Sequence, residues 1–533
     1  MLTLQNLTYI HPGKELLFNN INFTVSDRSK VALVGNNGTG KSTLLKLIAG
    51  EWQPSGGLLK ADAIPYYVPQ IFGQYNHLTI AQALRTDDKL NALKAILNGN
   101  VTGSNLALLD EDWTIEERCR EALSYWKLEP LDPMQKMDSL SGGEKTKVFL
   151  AGISIHRPAF ILLDEPSNHL DTAGRQLLYN FIQSTSATLL VVSHDRKLLD
   201  LLDTVFELDK RGITVYGGNY DFYAAQKRIE NDALNQEVKS KEKALRKARE
   251  KERETIEKQQ RLDARGKKKQ EKAGLPTISM NTFKNNAEKS TARLKNVHAE
   301  KTGGIAQELQ TLRSSLPDTD KMKLGFDNAA LHKGKILFTA TGINFGYNKQ
   351  LLWQQHLSFQ ITSGERIALQ GLNGSGKTTL AKIILGKSEP RTGTVYRAET
   401  QSVYIDQDYS LIDNRLSIYE QAQQYNASAL QEHEIKIRLA RFLFTKDDWS
   451  KPCSVLSGGE KMRLMLCCLN IYNLSPDMIL LDEPTNNLDM QNTEILTAAI
   501  SDYRGTLIVI SHDEYFLEQI NVTRVIHLDS APL

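Results

Sequence analysis

Two segments of the chain have the residue types and spacing to hold phosphate: Gly35-Asn36-Asn37-Gly38-Thr39-Gly40-Lys41-Ser42-Thr43 and Gly371-Leu372-Asn373-Gly374-Ser375-Gly376-Lys377-Thr378-Thr379, both G-x-x-x-x-G-K-[ST]. The glycines (Gly35, Gly38, Gly40; Gly371, Gly374, Gly376) let backbone amides curl around phosphate oxygens. Lys41 and Lys377 would reach the outer phosphates, and Ser42 and Thr378 would ligate magnesium, with Asn36, Asn373, Thr43 and Thr379 completing the loops.

Downstream of each loop the same further groups recur in the same order. Phe160-Ile161-Leu162-Leu163-Asp164-Glu165 is matched by Met478-Ile479-Leu480-Leu481-Asp482-Glu483. Asp164 and Asp482 suit a magnesium role, and Glu165 and Glu483 suit polarising the attacking water. Leu190-Val191-Val192-Ser193-His194-Asp195 and Ile508-Val509-Ile510-Ser511-His512-Asp513 close the sets, placing His194 and His512 to meet a terminal phosphate. The chemistry is nucleotide hydrolysis, twice in one chain.

These groups require strands that end at a common rim. Apolar runs (Val31-Ala32-Leu33-Val34; Ile367-Ala368-Leu369) precede each glycine loop, and a helical apolar pattern (Leu44, Leu45, Leu47, Ile48; Leu380, Ile383, Ile384, Leu385) follows it. The all-apolar runs before the carboxylates read as buried parallel strands. At 533 residues with 41% hydrophobic content, two or three domains are expected. Four cysteines (Cys119, Cys453, Cys467, Cys468) lack C-x-x-C spacing, which argues against a disulfide framework or a zinc site. No run of 18 apolar residues and no secretory leader are apparent, so the expected location is the cytoplasm.

The net charge of +2 conceals an asymmetry: Lys227 to Lys301 hold 22 Lys plus Arg against 12 Asp plus Glu, a balance of +10. Residues 227–265 contain no Gly or Pro and carry Glu237/Lys241, Glu242/Arg246 and Glu257/Arg261 at i,i+4 spacing, which predicts one helix of about 55 Å. Gly266 is predicted to end it. A basic tip then follows, with Lys267, Lys268, Lys269 and Lys272 beside Leu275, Pro276, Ile278, Met280 and Phe283. Helical patterns at about 285–297 and, beyond Gly303-Gly304, at Ile305, Leu309 and Leu312 predict the return of a hairpin. Lysines concentrated at a far tip point to a polyanionic partner such as RNA.

Leu140-Ser141-Gly142-Gly143-Glu144 and Leu456-Ser457-Gly458-Gly459-Glu460 each combine a Ser N-cap with glycines at a helix start, an anion-binding N-terminus. With the phosphate loops they resemble the signature of ATP-binding cassette ATPases. That resemblance implies that Ser141-Gly142-Gly143 and Ser457-Gly458-Gly459 serve the opposite half's nucleotide. It also implies that Gln70 and Gln407 are Q-loop residues sensing magnesium, and that an aromatic stacks on adenine: Tyr347 in the second half, His11 or Tyr9 in the first.

Tandem cassettes, the basic linker, and Glu-Pro-Ser-Asn-His-Leu-Asp at 165–171 with Glu-Pro-Thr-Asn-Asn-Leu-Asp at 483–489 resemble the ABC-F family of translation factors over essentially the whole chain. The implied fold is α/β: two P-loop NTPase ATP-binding cassette domains, 1–226 and 336–533, joined by an antiparallel α-helical hairpin linker at 227–335. The implied cofactors are ATP and Mg2+. The implied partner is the ribosome, entered at the tRNA exit site with the linker tip toward the peptidyl-site tRNA and the peptidyl-transferase centre. Head-to-tail pairing within a monomer, no DNA and no membrane segment are expected, and the role is regulation or rescue of translation or protection against antibiotics.

The chain departs from that family's pattern at Ser167, at Asn486-Asn487, and at Glu514 where Arg196 stands in the first half. The spacing from Gln70 to Ser141 exceeds that from Gln407 to Ser457, which allows a modest insertion but no long arm, and no C-terminal coiled coil is expected beyond Leu528. The alternative reading is a fused ATPase subunit of a membrane transporter, which would not need a basic hairpin. DNA-repair cassettes would carry far longer coiled coils, and iron-sulfur recycling factors would need other cysteines.

Overall fold

The computed structural model describes residues 1–13, 16–209, 212–272, 293, 296–297, 299–313, 332, 334–346, 351–472, 476–486 and 488–528. They form two compact units, Met1–Tyr223 with Thr319–Leu533, and Ala224–Asp318.

The first unit holds two copies of one α/β arrangement. In the N-terminal copy the strands are β1 (Leu2–Ile10), β2 (Leu16–Val25), β3 (Lys30–Val34), β4 (Gly56–Ala61), β5 (Tyr66–Val68), β6 (Phe160–Asp164), β7 (Thr188–Val192), β8 (Thr204–Asp209) and β9 (Gly212–Gly217). A sheet ordered β5-β6-β7-β3-β8-β9 is parallel except for the β8–β9 pair, and β2-β1-β4 form a separate antiparallel sheet. Every residue of β6 and β7 is buried, as expected of strands covered on both faces. Leu33 on β3 and Leu44 on the following helix are fully buried, each worth about 1.5–3 kcal/mol relative to exposure.

The C-terminal copy repeats this with β10 (Ile336–Asn344), β11 (Leu357–Thr362), β12 (Arg366–Gly371), β13 (Thr392–Arg397), β14 (Ser402–Ile405), β15 (Met478–Asp482), β16 (Thr506–Ile510) and β17 (Arg524–Leu528). Its parallel sheet runs β14-β15-β16-β12-β17, beside the antiparallel β11-β10-β13. In both copies the glycine-loop strand, the histidine strand and the carboxylate strand are neighbours, so their C-terminal ends share one rim. The longer Gln70–Ser141 segment contains the helices Asp87–Leu97 and Gly103–Leu109. Among the described residues no helix is long and apolar enough to cross a membrane.

The second unit corrects the expected linker breaks. The helix that begins at Tyr220 runs to Lys272, 53 residues and about 80 Å, straight through Gly266. One glycine costs a helix about 1 kcal/mol relative to alanine, too little to end a run flanked by Arg, Lys and Gln. Residues 299–313 are likewise helical through Gly303-Gly304, rather than restarting after them. Val238 and Leu309 are buried.

Ion pairing differs from the expected i,i+4 pattern. Lys241 pairs with Glu308, and Arg313 with Glu242 at 2.6 Å, while the pairs within the long helix include Lys227–Glu230, Arg246–Glu250 and Arg253–Glu257. Packing a second helix alongside offers Lys241 and Glu242 partners that a single-helix pattern cannot anticipate. The tip positions Leu275, Pro276, Ile278, Met280 and Phe283 lie outside the described residues.

Candidate active site

Each glycine loop is shaped by left-handed backbone that only glycine adopts without strain: φ is +98° at Gly40 and +89° at Gly376. A Cβ at Gly40 would also lie 2.8 Å from Leu17. The loop wraps its own lysine. Lys41 Nζ donates to the carbonyls of Gly35 and Asn36 at 2.7 and 3.1 Å, and Lys377 Nζ to those of Gly371 and Leu372 at 2.8 and 3.1 Å.

The hydroxyls expected on magnesium meet the expected carboxylates. Ser42 Oγ donates to Asp164 Oδ1 at 3.1 Å, and Thr378 Oγ1 to Asp482 Oδ2 at 2.9 Å. Two groups absent from the sequence reading hold the same carboxylates: the Tyr67 hydroxyl donates to Asp164 at 3.2 Å and the Tyr404 hydroxyl to Asp482 at 2.9 Å. Their signal was matched register, since each stands three residues before Gln70 or Gln407. The hydroxyl and carboxylate oxygens suit a hard cation such as magnesium, which takes few protein ligands and completes its shell with water and phosphate.

Glu165 and Glu483 occupy left-handed backbone, φ +50° and +48°. That conformation costs a non-glycine residue about 1–3 kcal/mol and recurs at functional sites. Burial pushes Glu165 up to about 8. At Glu483 burial is again the main cause, opposed by the Arg175 charge, and the carboxyl reaches about 7. Burial pushes His194 down to about 3 and His512 to about 4, so both imidazoles are neutral at pH 7. His194 Nε2 lies 3.3 Å from Glu165 Oε1 and His512 Nε2 3.5 Å from Glu483 Oε1, too poorly aligned for hydrogen bonds. Among the described residues Glu165 Oε1, His194 Nδ1 and His512 Nε2 are buried polar atoms without hydrogen-bond partners, groups that a phosphate and an attacking water would satisfy.

Each loop is completed by the other cassette. The Asn37 amide donates to Asp489 Oδ2 at 2.9 Å, and Asn373 Nδ2 to the His169 carbonyl at 2.9 Å. A Cβ built on signature Gly143 would lie 3.3 Å from Asn373 Nδ2. Ser141 caps the helix Gly142–His156 in a capping box with Glu144, and Ser457 makes the same exchange with Glu460. Gln70 and Gln407 follow the edge strands β5 and β14. In the first half Tyr9 is a buried core ring stacked on Trp52, while His11, half-buried, meets both rings edge-on. Tyr347 and Asn487 lie outside the described residues.

The family model described as "ABC transporter" matches residues 18–168 and 354–486, more than half the chain. The chain belongs to the ATP-binding cassette family. It is 32% identical to the ATP-binding protein YdiF of Bacillus subtilis, over 97% of this chain and 78% of that one. Similarity also extends to ABC transporter F family member 5 of Arabidopsis thaliana (29%; 99% of this chain, 75% of that one). The ribosome protection protein VmlR of Bacillus subtilis is 28% identical (99% and 86%). The fold resembles that of the archaeal ribosome recycling factor aABCE1, solved with the stalk protein aP1, at a TM-score of 0.61 and 20% identity over 98% of this chain and 87% of that one. The chain carries two such cassettes in tandem.

Proposed function

We propose that the chain hydrolyses ATP to ADP and phosphate at two composite sites and uses the cycle on the ribosome, in the cytoplasm. The observation that carries this reading is the association of two complete sets of hydrolytic groups with one basic 53-residue helix between them. At one site Lys41, Ser42, Asp164, Glu165 and His194 work with Ser457-Gly458-Gly459. At the other, Lys377, Thr378, Asp482, Glu483 and His512 work with Ser141-Gly142-Gly143.

Glu165 and Glu483 orient the attacking water, and the neutral imidazoles of His194 and His512 donate toward the terminal phosphate. Ser42, Asp164 and Gln70, and Thr378, Asp482 and Gln407, would hold magnesium, which neutralises phosphate charge when bound. His11 and Tyr347 take the adenine-stacking positions.

The domain division follows the sequence: 1–226 and 336–533 are the cassettes and 227–335 is the hairpin linker. The linker tip, with Lys267, Lys268, Lys269 and Lys272, faces ribosomal RNA and the peptidyl-site tRNA near the peptidyl-transferase centre, with the protein in the tRNA exit site. Full-length likeness to a ribosome protection protein supports this partner, and with it regulation or rescue of translation, including relief of antibiotic block. The test is co-sedimentation of Glu165→Gln/Glu483→Gln with ribosomes in ATP. The double variant should bind ATP, lose about 10²–10⁴-fold in turnover and accumulate on ribosomes. Recovery with membranes instead would favour a transporter subunit.

A further inference from the structure

The two histidines that face the catalytic glutamates are held differently, and the difference comes from the opposite cassette. Thr172, the first residue of the helix Thr172–Ser184, places its Oγ1 3.2 Å from Nδ1 of His512. Thr172 follows Asp171 as Met490 follows Asp489. At the first site, therefore, the matching residue has no hydroxyl: the Met490 sulfur takes the Tyr220 hydroxyl at 2.9 Å, and His194 Nδ1 is buried without a hydrogen-bond partner among the described residues.

We propose that Thr172 is a positioning residue that fixes the tautomer of His512 across the cassette interface and makes the Lys377/Glu483 site the faster of the two. This inference rests on the ATP-hydrolysis reading above. A neutral imidazole carries one N–H, and the partner of one nitrogen decides which nitrogen bears it. With the Thr172 hydroxyl donating to Nδ1, the hydrogen sits on Nε2, 3.5 Å from Glu483 Oε1 and able to donate toward phosphate. The reverse bond direction would turn the Nε2 lone pair toward a carboxylate oxygen, so the donating direction is favoured.

Arg175, one turn along the same helix, steadies the arrangement from within the cleft that Thr172 and His512 line. Its Nε donates to the Leu170 carbonyl at 3.3 Å and its Nη1 lies 3.7 Å from Asp195. The first site has Thr493 at the corresponding position, and the Thr493 hydroxyl is turned back onto the Asp489 carbonyl at 3.0 Å. The second site thus receives both a hydrogen-bonding hydroxyl and an anchored arginine, and among the described residues the first receives neither.

The sites are separable in the full-length chain, because Glu165→Gln leaves only the second site active and Glu483→Gln only the first. Turnover in Glu165→Gln should exceed that in Glu483→Gln. Adding Thr172→Val to Glu165→Gln should lower kcat about tenfold, as expected for one lost orienting hydrogen bond, with the KM for ATP unchanged and Thr172→Ser restoring the rate. The same Thr172→Val in Glu483→Gln should have no effect. An unchanged kcat in Glu165→Gln/Thr172→Val, failure of serine to restore it, or equal losses in both backgrounds would each overturn the proposal. Turnover persisting in Glu165→Gln/Glu483→Gln would instead overturn the hydrolysis reading beneath it.

Discussion

The Asn37 amide and the Asp489 carboxylate, 452 positions apart in sequence, are joined at 2.9 Å, so the first phosphate loop is closed by a group from the other half of the chain. The second loop is closed reciprocally, through Asn373 and the His169 carbonyl. Electrostatics follow the same crossing. Lys41 feels Asp489 and Lys377 feels Asp171, carboxylates that lie beyond Glu483 and Glu165 of the opposite cassettes, although burial is the larger influence and lowers both lysines. Ser457→Arg, tested in a Glu483→Gln background, is therefore expected to abolish turnover at the Lys41 site. Ser141→Arg should do the same to the Lys377 site in Glu165→Gln. Steady-state ATPase assays decide it, and full activity in Ser457→Arg/Glu483→Gln would show that a signature serves its own cassette.

The glutamates give the activity a pH dependence of definite sign. A water-orienting carboxylate works ionised, and burial raises both carboxyls, so turnover should climb as pH rises through their values. The midpoints are about 7 for Glu483 and about 8 for Glu165. The histidines are neutral throughout this range, since burial has pushed them down to about 4 and about 3, and they add no limb. Profiles of kcat/KM report the free enzyme. Measured from pH 6 to 9, Glu483→Gln should show its rise at higher pH than Glu165→Gln. Coincident or flat profiles would mean that other groups set the rate.

Tyr67 and Tyr404 orient Asp164 and Asp482 from the neighbouring strand, as outer groups commonly do around a metal-binding carboxylate. Tyr67→Phe and Tyr404→Phe keep the ring and remove one hydrogen bond. Each should raise the magnesium concentration needed for half-maximal turnover at its own site by about tenfold, near the lower end for such partners, with thermal stability nearly unchanged. Magnesium titrations in the single-site backgrounds measure this, and identical titration midpoints would assign the tyrosines to packing alone.

What the sequence conveyed, and what it did not, follows from the range of the forces involved. Gly35 to Thr43 and Asp164-Glu165 are local runs whose chemistry dictates their spacing, so the loops and carboxylate strands were readable from one copy and secure from two. Gly266 does not end the helix, because one residue's preference yields to its neighbours: strong helix formers on either side carry the helix to Lys272. Lys241 and Glu242 have i,i+4 partners within their own helix, but the second helix supplies Glu308 and Arg313, which no single-helix pattern contains. The choice between His11 and Tyr9 was open in the sequence because both are aromatic at a strand end, and only burial distinguishes the core ring of Tyr9. Contacts such as Thr172 with His512 join residues hundreds of positions apart and leave no periodic trace.

The linker supplies the sharpest test of the RNA partner. Lys267, Lys268, Lys269 and Lys272 fall in the last turns of the long helix rather than in a loop after it. Phosphate contacts release counterions, so affinity falls steeply with salt and each lost contact flattens that slope by about one unit. Changing all four lysines to Glu should weaken ribosome binding most at low salt and reduce its salt dependence. Replacing residues 267–283 with a short Gly/Ser turn should leave ATP binding by the cassettes intact while translation-dependent function is lost. Binding curves at several salt concentrations, with a translation assay alongside, check both. A charge-reversed protein that binds ribosomes with the original affinity and salt slope would reduce the basic helix to a spacer and remove the principal support for an RNA partner.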